Sequence, residues 1–294
     1  MRVRAICPAS CGELLQGRIG ESEKLISYPI DLYATATLWE SKTPTASSSR
    51  KKAVLAMHKT IAYYGEPLKI GENLSLEIES SIPIAKGMAS STADIAATIV
   101  ATAKLLGKNI EGDELGKLCV QIEPTDSTIF PALTLFDHLK GIRIESFDWI
   151  PRINVLVLES DQLLDTQDFR KNDYYKERLE NQSKIEEAYS IFKKACDTQN
   201  VLELGKAAIL SALTNQNILP KEKLEDIIQI ALDEGCCGVN VAHSGTVLGI
   251  LFDKTKVDEE ILRRKLLEKG VYKRYPRDYV TQIVAGGVKI IEND

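Results

Sequence analysis

Hydrophobic and polar residues alternate along two short stretches in the first third of the chain. Residues 34–40 and 74–79 show this two-residue period, which is typical of half-buried strands. Pro83 follows the second stretch, then a run of small residues, and from 95 to 106 apolar residues recur at helical spacing. Gly107 is the expected end of this helix. The predicted order is therefore strand, tight loop, helix.

The same patterns predict further elements along the rest of the chain. Helices are expected at 55–64, 113–122, 174–196, 201–212, 224–232 and 259–269. Strands are expected at 153–158, 247–252 and 288–291. The Ser-rich segment 41–52 is predicted to be an exposed loop. Because strands and helices do not alternate regularly, the expected fold class is α+β. Near residues 149–152 the predicted elements change from mainly strands to a block of helices. This change predicts an N-terminal lobe, 1–150, and a C-terminal lobe, 151–294.

Composition narrows the possible partners and the compartment. With 294 residues and a net charge of −5, the chain lacks the basic excess that non-specific nucleic-acid binding needs. The first residues contain no apolar signal region, and no apolar run approaches the length of a membrane span. We therefore expect a cytoplasmic protein with no nucleic-acid or membrane partner. The six cysteines are expected to be free, packed thiols, and only three histidines argue against a His-rich metal site.

The small-residue loop has the properties of a phosphate site. Gly87, Ala89 and Ser90 have short side chains or none, so backbone N–H groups there can approach a ligand closely. The loop leads into a helix, whose first N–H groups are unpaired and favour an anion. An alternative reading is a capped turn, with Ser91 as the N-cap and Asp94 at capping-box spacing. Neither a Walker A nor a G-x-G-x-x-G pattern occurs in the sequence.

Two acids follow the second predicted helix. Glu123 and Asp126 can supply carboxylate oxygens to Mg²⁺ and a group that orients or deprotonates a hydroxyl, both of which phosphoryl transfer needs. The alternative is an ordinary acid at a helix end followed by a turn cap.

Residues 83–92 resemble the second signature motif of the GHMP kinases, P-x-x-x-G-L-G-S-S-A. The sequence departs from that motif at Met88, Ala89 and Thr92, and Ala89 in place of glycine is expected to be tolerable only with a negative φ. Lys86 is a candidate charge beside the phosphates or a solvated lysine. The resemblance implies that this loop holds the phosphates of ATP. The implied nucleotide-binding residues are Pro83, Ile84, Ala85, Lys86, Gly87, Met88, Ala89, Ser90, Ser91 and Thr92.

Two further segments resemble motifs of the same family. Residues 8–17 resemble the first motif, P-G-K-x-x-L-x-G-E, although its lysine is missing, and residues 241–246 resemble the third. In the family these regions lie at the acceptor site, whereas the local alternatives are a strand-end turn with solvated acids and a structural histidine. The implied acceptor-site residues are Ser10, Glu13, Asp31, His243 and Ser244, with Glu13 or Asp31 meeting an ammonium group.

Membership of this family would imply a two-lobed kinase. The N-terminal lobe would resemble ribosomal protein S5 domain 2 and the C-terminal lobe would be ferredoxin-like. ATP and Mg²⁺ would be the cofactors, with Ser91 and Glu123 as metal ligands and Asp126 as the catalytic residue. The stretches CPASCGEL, IEPTDST and NVAHSG are similar to the family branch that phosphorylates L-threonine for adenosylcobalamin. Homoserine, as another amino alcohol, and a non-catalytic nucleotide-binding role remain alternatives.

Overall fold

The computed structural model describes residues 1–45, 50–110, 112–162 and 174–291. Its helices are α1 (Lys51–Tyr63), α2 (Ser90–Leu105), α3 (Gly112–Val120), α4 (Tyr175–Thr198), α5 (Val201–Thr214), α6 (Leu224–Asp233) and α7 (Glu259–Glu268). Its strands are β1 (Arg2–Ile19), β2 (Ser22–Glu40), β3 (Leu74–Ser80), β4 (Leu133–Asp137), β5 (Ile142–Phe147), β6 (Asn154–Glu159), β7 (Gly238–Val241), β8 (Leu248–Phe252), β9 (Arg277–Gln282) and β10 (Lys289–Ile291). The predicted helices and the α+β class are confirmed.

A long antiparallel hairpin, β1–β2, forms the centre of the sheet. The sequence predicted only the end of β2, and the strand-end turn considered for residues 8–17 is wrong, because that segment lies inside β1. Register shifts on both sides of Glu13 interrupt the pairing. At Gly12, with a φ of 67°, a Cβ would lie 2.7 Å from the backbone of Val241. The irregular part of β1 therefore packs directly against β7.

Strands from both halves of the chain form one continuous sheet. Its order is β5-β4-β2-β1-β7-β8-β6-β9, with β10 added beside β1 and β3 beside β2. One group of buried side chains joins α1, α2, α4 and α5 to the β1–β2 hairpin, and a second lies between α6, α7 and β6–β8. The division into lobes at residue 150 remains a prediction.

Helix α2 is buried on nearly every side, and this placement decides where the small-residue loop lies. The helix packs against α1, β1 and β2, and its alanines and threonines allow that close approach. Thr98 and Thr102 satisfy their hydroxyls by donating to the carbonyl oxygens of Asp94 and Thr98. The N-terminus of α2 is therefore held rigidly beside the central hairpin.

Two expectations from composition can be compared with the fold. All six cysteines are buried free thiols, as predicted. Among the helices of the described segments, none is long and apolar enough to cross a membrane.

Candidate active site

The small-residue loop takes a tight left-handed path into α2. Gly87 has a φ of 81°, and two alanines, Ala85 and Ala89, also have positive φ values of 58° and 59°. The expected negative φ at Ala89 is wrong. Ala89 is the N-cap of α2 and makes no side-chain capping bond, so the expectation that Ser91 caps the helix is also wrong. The first N–H groups of α2 have no side-chain cap, which suits an anionic ligand.

The loop is docked onto the turn that follows β7. The carbonyl oxygen of Lys86 accepts hydrogen bonds from the N–H groups of Thr246 (2.9 Å) and Val247 (3.2 Å). The carbonyl oxygen of Met88 accepts one from Ser10 N–H at 3.1 Å. Contacts from two distant chain segments therefore fix the loop before any ligand binds.

The side chain of Lys86 has neither of the roles that the sequence suggested. It is buried, and its ammonium group donates to the carbonyl oxygens of Ser160 and Gln162. Burial of a lysine is favourable only when its donors are satisfied. Lys86 therefore ties the loop to the end of β6, and its charge points away from the predicted phosphates.

A cavity of about 360 Å³ opens beside the loop. It is lined by nine residues of the predicted nucleotide loop, Lys86 being the exception, and by the predicted residues Glu123, Asp126, Glu13, His243 and Ser244. Arg50, Lys52, Asp94 and His138 line it too, although the sequence analysis assigned them no role in the site. The segment 41–52 was predicted to be a loop, but α1 already begins at Lys51.

Asp94 and Glu123 bring two acids to the end of the cavity near α1. Arg50 contacts Asp94 at 2.7 Å, and Lys52 forms an ion pair with Glu123. Glu123 Oε1 and Asp94 Oδ1 are nevertheless buried without a hydrogen-bond partner. Burial raises the pKa of Asp94 to about 6 against the opposing effect of Arg50, and the charge of Glu123 raises it further. Two buried carboxylate oxygens without donors, in the cavity that Ser91 also lines, are a donor set that fits Mg²⁺.

Asp126 lies at the α2 end of the loop, beside Thr92. Its carboxylate accepts hydrogen bonds from Thr92 Oγ1 at 3.3 Å and Ser27 Oγ at 3.4 Å. Its backbone N–H donates to Thr92 Oγ1 at 3.2 Å. Asp126 is therefore oriented from both α2 and β2, next to the first turn of the helix.

Glu13 is buried beside Asp126. Its carboxylate accepts a hydrogen bond of 2.5 Å from His243 N–H. Burial raises the pKa of Glu13 well above its usual range. The charge of Asp126 and a hydrogen bond with the Asp126 side chain raise the pKa of Glu13 further. Two carboxyl groups this close favour sharing one proton, or binding a cation between them.

Two predicted acceptor-site residues lie elsewhere. Ser10 is fully buried under the loop and its side chain does not line the cavity, so its position gives it a packing role. Asp31 is exposed and lies in a separate depression beside Gln282, 3.5 Å away. Ser10 lies on β1 and Asp31 on β2, and alternate residues of a strand point to opposite faces.

The sequence of this chain is similar to known proteins along most of its length. Residues 51–130 match the family described as GHMP kinases N terminal domain, and residues 192–271 match GHMP kinases C terminal. An L-threonine kinase from Salmonella typhimurium is 41% identical over 97% of this chain and 95% of its own length. An L-threonine kinase from Citrobacter freundii is 37% identical over 97% and 99%.

A solved structure gives the same result for the fold. The mevalonate kinase of Methanococcus jannaschii superposes with a TM-score of 0.71, covering 97% of this chain and 98% of that one, at 20% identity. At this identity the likeness concerns the fold alone.

Proposed function

This chain belongs to the GHMP kinase family, and we propose that it transfers the γ-phosphoryl group of ATP to the side-chain hydroxyl of L-threonine. The O–P bond to ADP breaks, a new O–P bond forms at the threonine oxygen, and the hydroxyl proton is released. The products are ADP and L-threonine O-3-phosphate. The similarity to two L-threonine kinases over almost the whole chain supports the choice of acceptor.

The observation that carries the proposal is the single cavity that the phosphate loop, Glu123 and Asp126 all line. The uncapped N-terminus of α2 provides N–H donors and a positive dipole end for triphosphate oxygens. Because Lys86 and Ser10 fix the loop in place, little reorganisation is needed when nucleotide binds. We assign the nucleotide phosphates to the backbone of residues 87–92.

Ser91 and Glu123 are the residues that we propose as ligands of Mg²⁺, with Asp94 beside them. When bound, the cation neutralises the charge that develops on the β- and γ-phosphates. Lys52 contacts Glu123 and is positioned to move to a phosphate oxygen when a cation takes its place. Lys52 would then supply a positive charge near the phosphates. The first motif of this chain cannot supply one, because its lysine is missing.

Asp126 is the residue that we propose to orient the threonine hydroxyl and to accept its proton. The hydrogen bonds from Thr92 and Ser27 hold its carboxylate in one orientation, which favours positioning over free rotation. We propose that Glu13 binds the ammonium group of the amino acid. The ammonium charge would offset the repulsion between Glu13 and Asp126, so that both carboxyl groups are ionised in the complex.

By its resemblance to the L-threonine kinase branch, we propose that the product serves the aminopropanol linker of adenosylcobalamin in the cytoplasm. The later use of the product does not change which residues bind ATP, Mg²⁺ and L-threonine in the proposal.

A coupled ADP-release assay tests the proposal. Purified protein with MgATP is given L-threonine, L-homoserine or D-threonine in turn, and the phosphorylated product is identified by ³¹P NMR. We expect the highest kcat/KM with L-threonine, because both the ammonium position and the hydroxyl position must match. Faster turnover of L-homoserine would reassign the acceptor. ATP binding without ADP release for every amino acid would instead make the chain a non-catalytic binding protein.

A further inference from the structure

A second group of possible metal ligands includes two residues that line the cavity, His138 and His243, and does not include Ser91 or Glu123. Glu23 on β2, His138 after β4 and His243 after β7 each place one ligand atom within 4.8 Å of the other two. The sequence has three histidines in all, and its composition argued against a His-rich site. The fold nevertheless brings two of the three together with a carboxylate from a third segment.

Neighbouring side chains hold each of these groups in place. His243 Nδ1 lies 2.9 Å from Oε1 of the buried Gln16. When Nδ1–H donates to that amide oxygen, the lone pair of the ring lies on Nε2, and this is how metal-binding histidines are commonly oriented. The rings of His138 and His243 meet edge to face, with centroids 5.1 Å apart. Arg178 contacts Glu23 Oε2 at 2.9 Å and fixes that carboxylate.

We propose that Glu23, His138 and His243 bind a transition-metal divalent cation of the Zn²⁺ type. Two imidazoles and one carboxylate are a ligand set typical of zinc sites that keep an open position. Mg²⁺ prefers oxygen ligands and an octahedral shell, so it is expected at Glu123 and not here. Tetrahedral zinc holds its ligand atoms about 3.4 Å apart, so ligand atoms that lie within 4.8 Å of one another need to close by no more than about 1.4 Å.

The cavity gives a fourth ligand a route to the cluster. His138 and His243 both line the cavity, so an open coordination position would be reached from it. A water molecule, or an amine or carboxylate of a small molecule in the cavity, can complete the shell there. This inference concerns metal binding and does not depend on the identity of the phosphate acceptor.

Zinc binding to the EDTA-treated full-length protein tests the proposal. Isothermal titration with Zn²⁺ in excess Mg²⁺ is carried out on the wild type, His138→Gln, His243→Gln and Glu23→Gln. His58→Gln is the matched control, since His58 lies on α1 against Gly71. Loss of an outer-shell partner alone weakens metal sites by about 10–100-fold, so we expect at least about 100-fold weaker binding for each histidine variant. The control is expected to bind like the wild type.

Three results would overturn the proposal. The first is wild-type zinc affinity in both histidine variants, and the second is an equal loss of affinity in His58→Gln. The third is a thiolate charge-transfer band on Co²⁺ substitution, because it would place the ion at a cysteine. Circular dichroism checks that each variant is folded. If the buried His138→Gln does not fold, the partly exposed Glu23→Gln carries the test.

Discussion

Gly87 of the phosphate loop and Gly245 of the turn after β7 are in backbone-to-backbone contact. A Cβ added to Gly87 would lie 2.7 Å from Gly245 Cα, and one added to Gly245 would lie 2.3 Å from Gly87 Cα. The hydrogen bonds from Thr246 and Val247 to Lys86 close the same contact. The second and third motifs therefore form one unit, in which the third positions the loop of the second.

Gly87→Ala should weaken nucleotide binding. The new methyl group would meet Gly245 Cα and Ala242 Cβ, and the φ of 81° would add strain. Since backbone cannot move aside cheaply, the loop itself must shift. We expect at least about tenfold weaker binding of a non-hydrolysable ATP analogue, measured by titration calorimetry. A tenfold change in Kd corresponds to about 1.4 kcal/mol of binding free energy.

Gly107→Ala is the matched control for this change. Gly107 has a φ of 70° but no heavy atom within 4 Å of an added Cβ. It should lose about 1–2 kcal/mol of unfolding free energy from the left-handed backbone and keep its nucleotide affinity. Equal nucleotide affinity in Gly87→Ala and Gly107→Ala would show that the loop does not depend on the turn.

Asp126→Asn should lower kcat while leaving ATP affinity intact. Asparagine keeps the shape of the side chain but cannot accept a proton, and positioned acid–base groups contribute about 10²–10⁴-fold to rate. Steady-state kinetics with L-threonine and MgATP measures the effect. Asp31→Asn, an exposed position outside the cavity, should behave like the wild type. A full kcat in Asp126→Asn would remove Asp126 from the proposed mechanism.

Ser91→Ala and Glu123→Gln should raise the Mg²⁺ concentration that gives half-maximal rate. Each change removes one proposed oxygen ligand, and the loss of the charged one should have the larger effect. The measurement is a Mg²⁺ titration at fixed ATP. Glu114→Gln, in the exposed first turn of α3, is the control and should leave the titration unchanged. Wild-type Mg²⁺ dependence in both active-site variants would place the cation elsewhere.

The helices were predictable because each has a local signal. The period of α2 and the small residues before it indicate both the helix and the tight loop at its start. Spacing alone favoured an ordinary helix-end acid and a turn cap for Glu123 and Asp126, and the resemblance implied their chemical roles. Only the fold shows that Thr92 and Ser27 orient Asp126. Local residues alone favoured neither the phosphate site nor the capped turn, and the resemblance to the family decided between them.

The parts that were missed depend on long-range contacts. Strand β5 was missed although Ile142 and Ile144 alternate with Arg143 and Glu145, because it is exposed along most of its length and only its pairing with β4 makes this short run a strand. Arg50 and His138 reach the cavity only because α1 and β4 pack beside α2 and β2. Asp94 has the spacing of a capping residue, yet in the fold it pairs with Arg50. Spacing along the chain cannot distinguish such residues from ordinary surface charges.

Ala89→Gly should stabilise the protein. Ala89 has a φ of 59° and a ψ of 23°, a left-handed conformation that costs a non-glycine residue about 1–2 kcal/mol. Glycine removes that cost but makes the unfolded chain more flexible, which offsets about 0.4–1 kcal/mol. We expect a net gain of about 0.5–1 kcal/mol in urea unfolding.

Ala96→Gly, inside α2, provides the opposite case. A helix interior disfavours glycine by about 1 kcal/mol, so this variant should be destabilised. Destabilisation of both variants to the same extent would mean that the backbone at Ala89 carries no strain.

Lys221→Met should change how stability depends on pH. Lys221 is buried, its ammonium group donates to Gly245 O, and burial lowers its pKa from 10.5 to about 7. Between these two values the unfolded chain binds a proton that the folded chain does not, so wild-type stability rises with pH in this window, by up to about 1.4 kcal/mol per pH unit. The methionine variant lacks this proton, and the lost hydrogen bond adds only an offset that is independent of pH. Urea unfolding at pH 7, 8 and 9 should therefore show the wild type gaining stability relative to Lys221→Met as pH rises. Lys254→Met, in the exposed turn after β8, is the control, and its free energy of unfolding should differ from that of the wild type by the same amount at each pH. If the difference for Lys221→Met is also constant with pH, Lys221 keeps an ordinary pKa in the folded protein.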